Sequence, residues 1–464
     1  MTIHPGAMRR SHPTGVPSGQ GSAGPLPRAR SIALGRFVLA GAIAVAGTAA
    51  MVGGHSGTSA EVQGAPLDEA LPHGRPADPA PLPAAVANRT AAALGDLIDL
   101  DQLTLTPTGD RYEALLKDGR HAVLTLDPAL QAYAEKLLAE ARAPRGAIVA
   151  MAPDGRVLAL AGRRGDEAKS AAGGARKAAF DWRLATEVWA PAASVFKLVT
   201  ASALVAAGVD PSDKVCFHGG IRSVVESNLR DDKRDSRCES LVYGVAHSNN
   251  AILGKLAFQK LEPAALTKLA HELGIAGTLP GAEIHGTAGT VDLPSARDLG
   301  FAQSAAGFSG SQLSAVGGAL LAATFADDGE QPVPRLVASI DGVAVAAPAR
   351  RRAVAAEIAK AVGKMMLATC EIGSAAKSFG KHQPIHVAGK TGTLTRTEPF
   401  YMEHSWFVGY APAEQPQIIV SVLLGNSENW HLRGHEAARR LIDRAIGHDK
   451  DRTAKITSTR RVGW

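Results

Sequence analysis

The feature that most constrains the fold of this 464-residue chain is the wide separation between its two groups of strand-like segments. Two apolar runs, at 146–153 and 155–162, meet at an Asp-Gly pair, a combination typical of a β-hairpin. Three similar runs follow far downstream, at 385–394, 405–410 and 417–424, and most segments between the two groups have helical or loop patterns. The sequence therefore predicts an α+β fold: a five-stranded antiparallel sheet closed from both ends of the domain and flanked by helices, with an all-helical subdomain packed on it.

Two helices flanking these strands are predicted from their local patterns. The segment 128–143 has apolar residues at helical spacing, and Asp127 is a suitable N-cap in front of it. A final helix is predicted at about 435–446, where it could cover the face of the sheet opposite the helical cluster.

The segment 191–208 places Ser194 at the head of a predicted helix and Lys197 three residues later. On a helix these two side chains share a face, so the lysine amine can reach the serine hydroxyl. A serine is a poor nucleophile at neutral pH unless a base takes its proton, and a lysine can be that base only if its pKa falls below its ordinary value of about 10.4. The alternative is a helix N-cap followed by a surface lysine.

Two further short elements could carry chemistry. Ser248, Asn249 and Asn250 supply three hydrogen-bonding side chains just before an apolar helical segment, where Ser and Asn also serve as ordinary helix caps. A Lys-Thr-Gly-Thr run at 390–393 lies inside a predicted strand. Glycine in a strand often marks the close approach of a ligand or another backbone, and the alternative is a bulge.

The N-terminal part of the chain predicts membrane attachment. Residues 1–36 are rich in Gly, Pro, Ser and Arg and are expected to be a disordered cytoplasmic segment. Eighteen uncharged residues at 37–54 follow several arginines, which favours an uncleaved transmembrane anchor over the alternative, a cleaved signal peptide. A Pro/Ala-rich linker with a short lead-in (55–120) would precede a folded domain (121–447) and a basic tail (448–464). We therefore expect a single-pass protein of the inner, cytoplasmic membrane whose folded domain lies in the periplasm or outside the cell.

Charge, histidines and cysteines narrow the function classes. The net charge is +6, but the basic residues are dispersed and no nucleic-acid motif occurs, so we expect no nucleic-acid partner. His431 and His435 are four residues apart but have no third ligand in view, so we expect no metal site. Cys216 and Cys238 bracket a charged loop and could form a disulfide outside the cytoplasm, whereas three free thiols are the alternative. Cys370 would then be a small buried hydrophobe.

The order of the three motifs along the chain is more specific than any one of them. Ser-x-x-Lys at Ser194, Ser-x-Asn at Ser248 and Lys-Thr-Gly at Lys390 form the signature of penicillin-recognising serine enzymes. The segment 121–446 resembles the transpeptidase domain of penicillin-binding proteins: VLTLDPALQAYAEKLL resembles the segment entering that domain, GAIVAMAPDGRVLALAG its first hairpin and VAGKTGTLTR its Lys-Thr-Gly strand. The resemblance implies a β-lactamase/transpeptidase-like fold.

It also implies a membrane-anchored D,D-transpeptidase that cross-links peptidoglycan stem peptides ending in D-Ala-D-Ala and contributes to cell shape. Such an enzyme needs no cofactor, takes β-lactams as covalent inhibitors and could work with a cell-wall polymerase.

The resemblance assigns the catalytic roles. Ser194 would attack the carbonyl of a D-alanyl-D-alanine bond and form an acyl-enzyme, with Lys197 as general base. Ser248 would relay a proton towards the departing nitrogen, and Asn250 would hold the substrate amide and Lys197 in place.

The resemblance also assigns substrate binding to the Lys-Thr-Gly strand. Lys390, Thr391, Gly392 and Thr393 would form the site of the terminal carboxylate, for which a fixed cation is chemically suited. The backbone N–H groups of Ser194 and Thr393 would form the oxyanion hole.

The chain departs from the family pattern in two respects. The family usually has Gly before the nucleophile, where this chain has Ala193, and we expect a modest backbone adjustment. The residues between the apolar segment and His121 are too few for a glycosyltransferase domain or for the large pedestal domain of monofunctional members, which puts the pedestal's partner contacts in doubt.

Three alternatives to the transpeptidase remain from the same residues. A D,D-carboxypeptidase would use them with water as acceptor, and a β-lactam sensor or cell-wall scaffold would be acylated without turnover. A serine β-lactamase is disfavoured by Asn250, where the related β-lactamase class has a valine.

Overall fold

Long strands from two distant parts of the chain meet in the computed structural model, which describes residues 94–165, 179–220 and 222–460. The strands in these residues are β1 (Thr104–Leu105), β2 (Tyr112–Leu115), β3 (His121–Leu124), β4 (Arg145–Met151), β5 (Val157–Arg164), β6 (Ala179–Phe180), β7 (Ala190–Pro191), β8 (Lys214–Phe217), β9 (Arg237–Ser240), β10 (Gly277–Thr278), β11 (Thr287–Val291), β12 (Ser311–Leu313), β13 (Glu330–Gln331), β14 (Val337–Ile340), β15 (Val343–Ala344), β16 (Arg351–Arg352), β17 (Ala388–Arg396), β18 (Met402–Ala411) and β19 (Ile418–Asn426). The α-helices are α1 (Leu94–Leu97), α2 (Pro128–Ala141), α3 (Lys197–Ala206), α4 (Leu241–Ala246), α5 (Asn250–Lys260), α6 (Pro263–Glu272), α7 (Leu299–Ala305), α8 (Ala315–Ala326), α9 (Ala356–Glu371) and α10 (Gly434–Arg460).

The central sheet has the strand order β17-β18-β19-β4-β5-β6, with every neighbouring pair antiparallel. The closure from both ends occurs between β4 and β19, whose register runs from Met151 opposite Ile419 to Arg145 opposite Gly425. The predicted α+β class and the antiparallel sheet of five long strands are confirmed. The two-residue strand β6 adds a sixth member at one edge.

Helices cover both faces of this sheet. Because side chains alternate along a strand, neighbouring residues of β4 contact different helices. Val149 of β4 lies in a buried apolar cluster with Leu320 of α8. Its neighbour Ile148 lies in a second cluster, with Leu137 of α2 and Leu441 of α10. Burial on two faces explains why the sequence shows continuous apolar runs here and not a polar-apolar alternation.

The predicted helix cap of α2 and the predicted turn of the β4–β5 hairpin are both present. The Asp127 carboxylate caps α2 by accepting the N–H groups of Ala129 and Leu130, both at 3.0 Å. The β4–β5 hairpin turns at Gly155, whose φ of 90° lies in the left-handed region that suits glycine.

The helical part between β5 and β17 also contains short strands. The order β10-β11-β12-β7 forms a small sheet that connects the segment before Ser194 to the segment before α8. A second sheet, with the order β1-β2-β3-β14-β15, brings residues upstream of His121 onto the domain, because β2 pairs with β3.

The expected disordered segment, the anchor at 37–54 and most of the linker lie outside the described residues, as do the last four residues of the tail. Among the helices that are described, none combines the length and the apolar character that crossing a membrane requires.

Candidate active site

Ser194 and Lys197 meet at the start of α3. Ser194 lies in a 3-10 turn, Ala193–Phe196, and α3 begins only at Lys197, whereas the sequence places both residues in one helix over 191–208. In a 3-10 turn residues three apart lie directly above one another. The Nζ atom of Lys197 accordingly donates a hydrogen bond of 2.7 Å to the Oγ atom of Ser194, which is half-buried.

The surroundings of Lys197 favour the neutral amine. The side chain is fully buried, and its second hydrogen bond goes to the carbonyl oxygen of Ala306, at 2.7 Å. Burial lowers the pKa of Lys197 well below its ordinary value, and the nearby positive charge of Lys390 lowers it further. A neutral amine at this distance can take a proton from the Ser194 hydroxyl.

The backbone in front of Ser194 has an unusual conformation. Ala193 has a φ of 50°, in the left-handed region that costs a non-glycine residue about 1–2 kcal/mol. Gly307 presses against this turn, since a Cβ atom built on Gly307 would lie 2.1 Å from the carbonyl oxygen of Ala193. Ala193 therefore keeps a left-handed conformation although it is not a glycine.

Ser248 lies in the short connection between α4 and α5. Asn249 is the N-cap of α5, and its side-chain oxygen accepts the N–H of Ile252 at 3.1 Å. The Ser248 hydroxyl is therefore not needed as a cap, and it accepts a hydrogen bond of 3.1 Å from the Nζ atom of Lys390. Asn250 is buried as the first residue of α5.

Lys390 is the second buried amine of the site. Its Nζ atom also donates to the carbonyl oxygen of Thr391, at 2.9 Å. Burial lowers the pKa of Lys390 to about 7. The hydroxyl of Thr391 is in turn hydrogen-bonded to that of Ser374, at 2.6 Å. An amine with this pKa gains charge when an anion arrives, because the anion stabilises the ammonium form.

Gly392 marks a close approach between β17 and the turn that carries Ser194. A Cβ atom on Gly392 would lie 3.2 Å from Cγ2 of Val195 and 3.1 Å from Cβ of Trp406. Trp406 also ties the segment before the turn to the sheet, because its Nε1 atom donates to the carbonyl oxygen of Pro191 at 2.9 Å. The two segments with the expected oxyanion-hole N–H groups, those of Ser194 and the exposed Thr393, are thus neighbours.

A loop closed by a disulfide supports the Ser-x-Asn segment. Cys216 and Cys238 are joined by a disulfide and lie opposite each other in β8 and β9. Within this loop, the carbonyl oxygen of Gly220 accepts the N–H of Asn250 at 3.0 Å and that of Ala251 at 3.3 Å. Gly220 has a φ of 74°, and a Cβ atom there would lie 2.0 Å from Cβ of Ala251, so only glycine fits.

An ion cluster with buried Lys255 and Asp235 at its centre and exposed Asp231 at its rim holds the same loop. Lys255 of α5 donates to the Asp235 carboxylate at 2.7 Å and forms an ion pair with Asp231 at 2.9 Å. The other Asp235 oxygen is 2.6 Å from Nδ1 of His218, whose Nε2 is 3.2 Å from Oγ of Ser227. Asp235 is held by an ammonium as well as by the imidazole, so this cluster secures the loop.

Other residues singled out in the sequence lie outside the site. Cys370 is buried with a free thiol in α9, and burial raises its pKa. His431 lies 3.4 Å from a guanidinium nitrogen of Arg142. Within the described ranges, no group of three or more His, Cys, Asp or Glu side chains could hold a metal.

Several contributors to the site carry no signal in the sequence. The carbonyl groups of Ala306 and Gly220 act through backbone atoms that every residue type has. Gly307 and Gly220 were detectable only as glycines in loop-like segments. Ser374 could have been noted as a hydroxyl, but nothing in its local pattern indicates contact with Thr391.

Comparison with known proteins gives consistent matches. The family model of the penicillin binding protein transpeptidase domain matches residues 146–444. Peptidoglycan D,D-transpeptidase PbpA of Mycobacterium tuberculosis is 26% identical over 250 residues, which are 51% of this chain and 50% of that protein. The chain thus spans about half the length of the curated relatives it matches.

Solved structures share the fold. Penicillin-binding protein A from M. tuberculosis, as an imipenem acyl-enzyme complex, superposes with a TM-score of 0.57 at 22% identity, covering 71% of this chain and 80% of that one. The D,D-transpeptidase domain of a peptidoglycan glycosyltransferase from Eggerthella lenta gives a TM-score of 0.55 at 22% identity, covering 75% of this chain and 98% of that one.

Proposed function

Because this chain belongs to the penicillin-binding protein transpeptidase family, we propose that it is a D,D-transpeptidase that cross-links peptidoglycan stem peptides through an acyl-enzyme on Ser194. The observation that carries the proposal is the buried amine of Lys197, 2.7 Å from the serine hydroxyl and hydrogen-bonded otherwise to a neutral carbonyl. The amine is thereby suited to act as a base at neutral pH.

The acylation step follows from this arrangement. The Ser194 oxygen attacks the carbonyl carbon of the penultimate D-alanine while Lys197 takes the hydroxyl proton. The N–H groups of Ser194 and Thr393 hold the negative oxygen of the tetrahedral intermediate, and one such donor contributes about 3 kcal/mol to transition-state stabilisation. The C–N bond then breaks, Ser248 passes a proton to the departing nitrogen, and D-alanine leaves.

The terminal carboxylate of the substrate binds at Lys390, Thr391 and Thr393. The Lys390 amine, hydrogen-bonded to Ser248 at 3.1 Å, gains a proton as the carboxylate approaches. The two threonine hydroxyls add neutral donors beside it. Asn250 binds the substrate amide on the acyl side.

In the second half-reaction, an amine of a neighbouring stem peptide attacks the ester carbonyl of the acyl-enzyme. Lys197 accepts a proton from that amine and returns one to the Ser194 oxygen as the ester bond breaks. If water attacks instead, the same steps release a shortened peptide, which is the carboxypeptidase outcome.

The test begins with a fluorescent penicillin and the Ser194→Ala variant. We expect covalent labelling of the parent and none of the variant. Ser202→Ala is the matched control, because Ser202 is a buried serine of α3 whose hydroxyl donates only to the Leu198 carbonyl. Labelling that persists in Ser194→Ala, or that fails in the parent, contradicts the assignment.

Turnover of a pentapeptide with and without an amine acceptor distinguishes cross-linking from trimming. A transpeptidase forms the amide product when the amine is present. Release of D-alanine with no amide product at high amine concentration would instead make the protein a carboxypeptidase. Labelling without any turnover would make it a sensor or scaffold.

We also propose that residues 37–54 anchor the protein in the cytoplasmic membrane, with the catalytic domain on the outer side. The Cys216–Cys238 disulfide supports this location, because disulfides persist mainly outside the cytoplasm. The full chain should stay in the membrane fraction after high-salt and carbonate washes, and a variant lacking 37–54 should not. Release of the full chain by those washes would refute the anchor.

A further inference from the structure

A cavity of about 220 Å³ lies at the edge of the central sheet that is opposite to β17. Its walls come from the segment that follows α1, the start of β2, the helix α2, the end of β5 and the β6 segment. Three aromatic side chains and two carboxylates are among the lining residues: Tyr112, Phe180, Trp182, Asp101 and Glu135. None of the three motifs contributes to this cavity.

The aromatic rings give the cavity apolar surfaces that the described residues leave uncovered. Phe180 is 55% exposed, although phenylalanine is among the residue types most often buried. Trp182 is half-buried, and its Nε1 atom donates to Oδ1 of Asp101 at 3.1 Å, which restrains the indole ring. The cavity thus offers ordered aromatic surface to a ligand with a flat apolar face.

Polar atoms without a protein partner border these rings. The Tyr112 hydroxyl forms no hydrogen bond with another described residue. Glu135 accepts the side-chain amide of Gln131 at 2.8 Å with one carboxylate oxygen, and its other oxygen has no hydrogen-bond partner among the described residues. Burial raises the pKa of Tyr112, and the negative charge of Glu135 raises it further, so the phenol stays protonated. The cavity therefore presents a neutral donor beside a free acceptor.

The charges around the cavity favour an uncharged ligand. Asp101 already pairs with Arg183, which donates to Oδ2 at 2.8 Å, and the Arg183 guanidinium lies 4.7 Å from the centroid of the Trp182 ring. A cationic ligand would compete with this guanidinium for both groups, and an anion would face two carboxylates. A pyranose sugar is uncharged and carries hydroxyl groups around an apolar ring face, so it suits the aromatic and the polar walls alike.

The distance from the cavity to β17 is comparable with the length of a stem peptide. Five residues that pair in succession form one row across the sheet from the cavity wall to β17: Gly162, Ala147, Leu423, Trp406 and Gly392. The four strand spacings in this row span about 19 Å. An extended pentapeptide spans roughly 17 Å. A glycan held at the cavity is thus about one stem-peptide length from the Lys-Thr-Gly strand.

We propose that this cavity binds a sugar unit of a peptidoglycan glycan strand, with the sugar ring against Trp182 and the neighbouring units over the exposed ring of Phe180. The Tyr112 hydroxyl and the free oxygen of Glu135 form hydrogen bonds with hydroxyl groups of the bound unit. The cavity holds the polymer and not the reacting peptide, so it raises the local concentration of stem peptides near Ser194. The inference rests on the proposed function for the identity of the polymer.

Binding is tested first with a probe that carries no peptide. Full-length Ser194→Ala protein, in a detergent without sugar groups, is titrated with chitotetraose, an uncharged chain of β-linked N-acetylglucosamine, and followed by tryptophan fluorescence. We expect a saturable change from Trp182, and retention of the same protein on glycan strands stripped of their stem peptides. A flat titration, or a protein that is not retained, overturns the inference. Binding of tetramethylammonium that chitotetraose does not displace would mark a cation site and overturn it as well.

Variants then assign the contacts. Adding Phe180→Ala should weaken chitotetraose binding by roughly fivefold or more, because the sugar chain loses an aromatic surface. Tyr112→Phe removes only a hydroxyl and should weaken binding by roughly two- to tenfold. Phe400→Ala is the matched control, because Phe400 is 52% exposed and does not line the cavity. Equal affinities of the Phe180→Ala and Phe400→Ala proteins would contradict the inference.

Labelling of the parent by a fluorescent penicillin separates this inference from the proposed function. Penicillin contains no sugar, so its reaction with Ser194 tests the catalytic assignment alone. If the parent is labelled but the Ser194→Ala protein does not bind chitotetraose, only the cavity assignment fails. If chitotetraose binds but the parent is not labelled, the proposed function fails and the cavity remains a glycan site.

Discussion

Lys197 and Lys255 are both fully buried, yet their surroundings are electrostatically opposite. Lys197 contacts a serine hydroxyl and a backbone carbonyl. Lys255 contacts the carboxylates of Asp231 and Asp235 and the carbonyl of Cys216. The hydrogen bonds of Lys197 go to two neutral groups, whereas Lys255 is paired with two acids.

The pKa values move in opposite directions for this reason. Burial dominates at Lys197 and lowers its pKa well below the ordinary value. Burial acts in the same direction at Lys255, but the hydrogen bonds and ion pairs with Asp235 and Asp231 outweigh it, so the pKa of Lys255 is raised. Burial alone therefore does not make a lysine a base; the absence of a carboxylate partner decides the outcome.

The largest expected effect is on the rate of acylation when Lys197 is replaced. Lys197→Met should slow labelling by a fluorescent penicillin by roughly 100- to 10,000-fold, the range that a general base contributes. The free energy of unfolding should be unchanged or higher, because no buried carboxylate loses its partner. Stopped-flow labelling and urea unfolding measure the two quantities. Near-parental labelling would show that Lys197 is not the base.

Lys255→Met should have the opposite effects: a loss of stability with little change in the rate of labelling. It leaves Asp235 buried without its ammonium, so we expect a loss of about 3–5 kcal/mol in the free energy of unfolding. Labelling of the folded variant at low temperature should stay within about threefold of the parent. Adding Asp235→Asn should restore part of the stability by removing the unpaired charge. A fully stable Lys255→Met protein would contradict the structural role of the ion pair.

A smaller effect is expected in the pH dependence of kcat/KM, which should follow the charge of Lys390. Its pKa of about 7 means that, in the free protein, the amine is charged below pH 7 and neutral above it. The kcat/KM for a carboxylate-bearing acyl donor should therefore fall above about pH 7, by up to about tenfold per pH unit. Lys390→Arg keeps its charge throughout, so this alkaline fall should disappear. A parent profile that stays flat from pH 7 to 9 would contradict the assignment.

The smallest expected effect is at Ala193, whose φ is 50°. Ala193→Gly should raise the free energy of unfolding by up to about 1 kcal/mol, because glycine adopts this conformation without a steric cost. Ala192→Gly is the matched control: Ala192 has a φ of −64°, so the same change there should lower stability by about 0.5–1 kcal/mol. Chemical denaturation measures both. If both variants changed the free energy of unfolding in the same direction, the left-handed conformation of Ala193 would not be the cause of the effect.

The sequence predicted those features that depend on the chemical identity of side chains. The strand runs, the Asp127 cap and the Asp-Gly turn follow local rules, and the structure confirms them. The three motifs could be recognised because each is defined by particular residue types at a fixed spacing.

The remaining features depend on which distant segments meet. The sequence expected one helix through Ser194, but the left-handed Ala193 and the 3-10 turn delay α3 to Lys197. The carbonyl of Ala306 is 109 residues from Lys197 along the chain, and its residue type says nothing about the contact. The loop that closes on Asn250 through Gly220 is likewise a product of packing, and a local pattern cannot encode it.

The pairing of β4 with β19 has a consequence for how the protein is made. A chain emerges from the ribosome with its N-terminal side first, so the β4–β5 hairpin is synthesised long before β19. During that interval one edge of β4, whose side chains are almost all destined for the interior, has no partner strand. Unpaired apolar edges of this kind promote aggregation of nascent chains. Production of the protein should therefore depend on chaperones that hold the early hairpin until the C-terminal strands arrive.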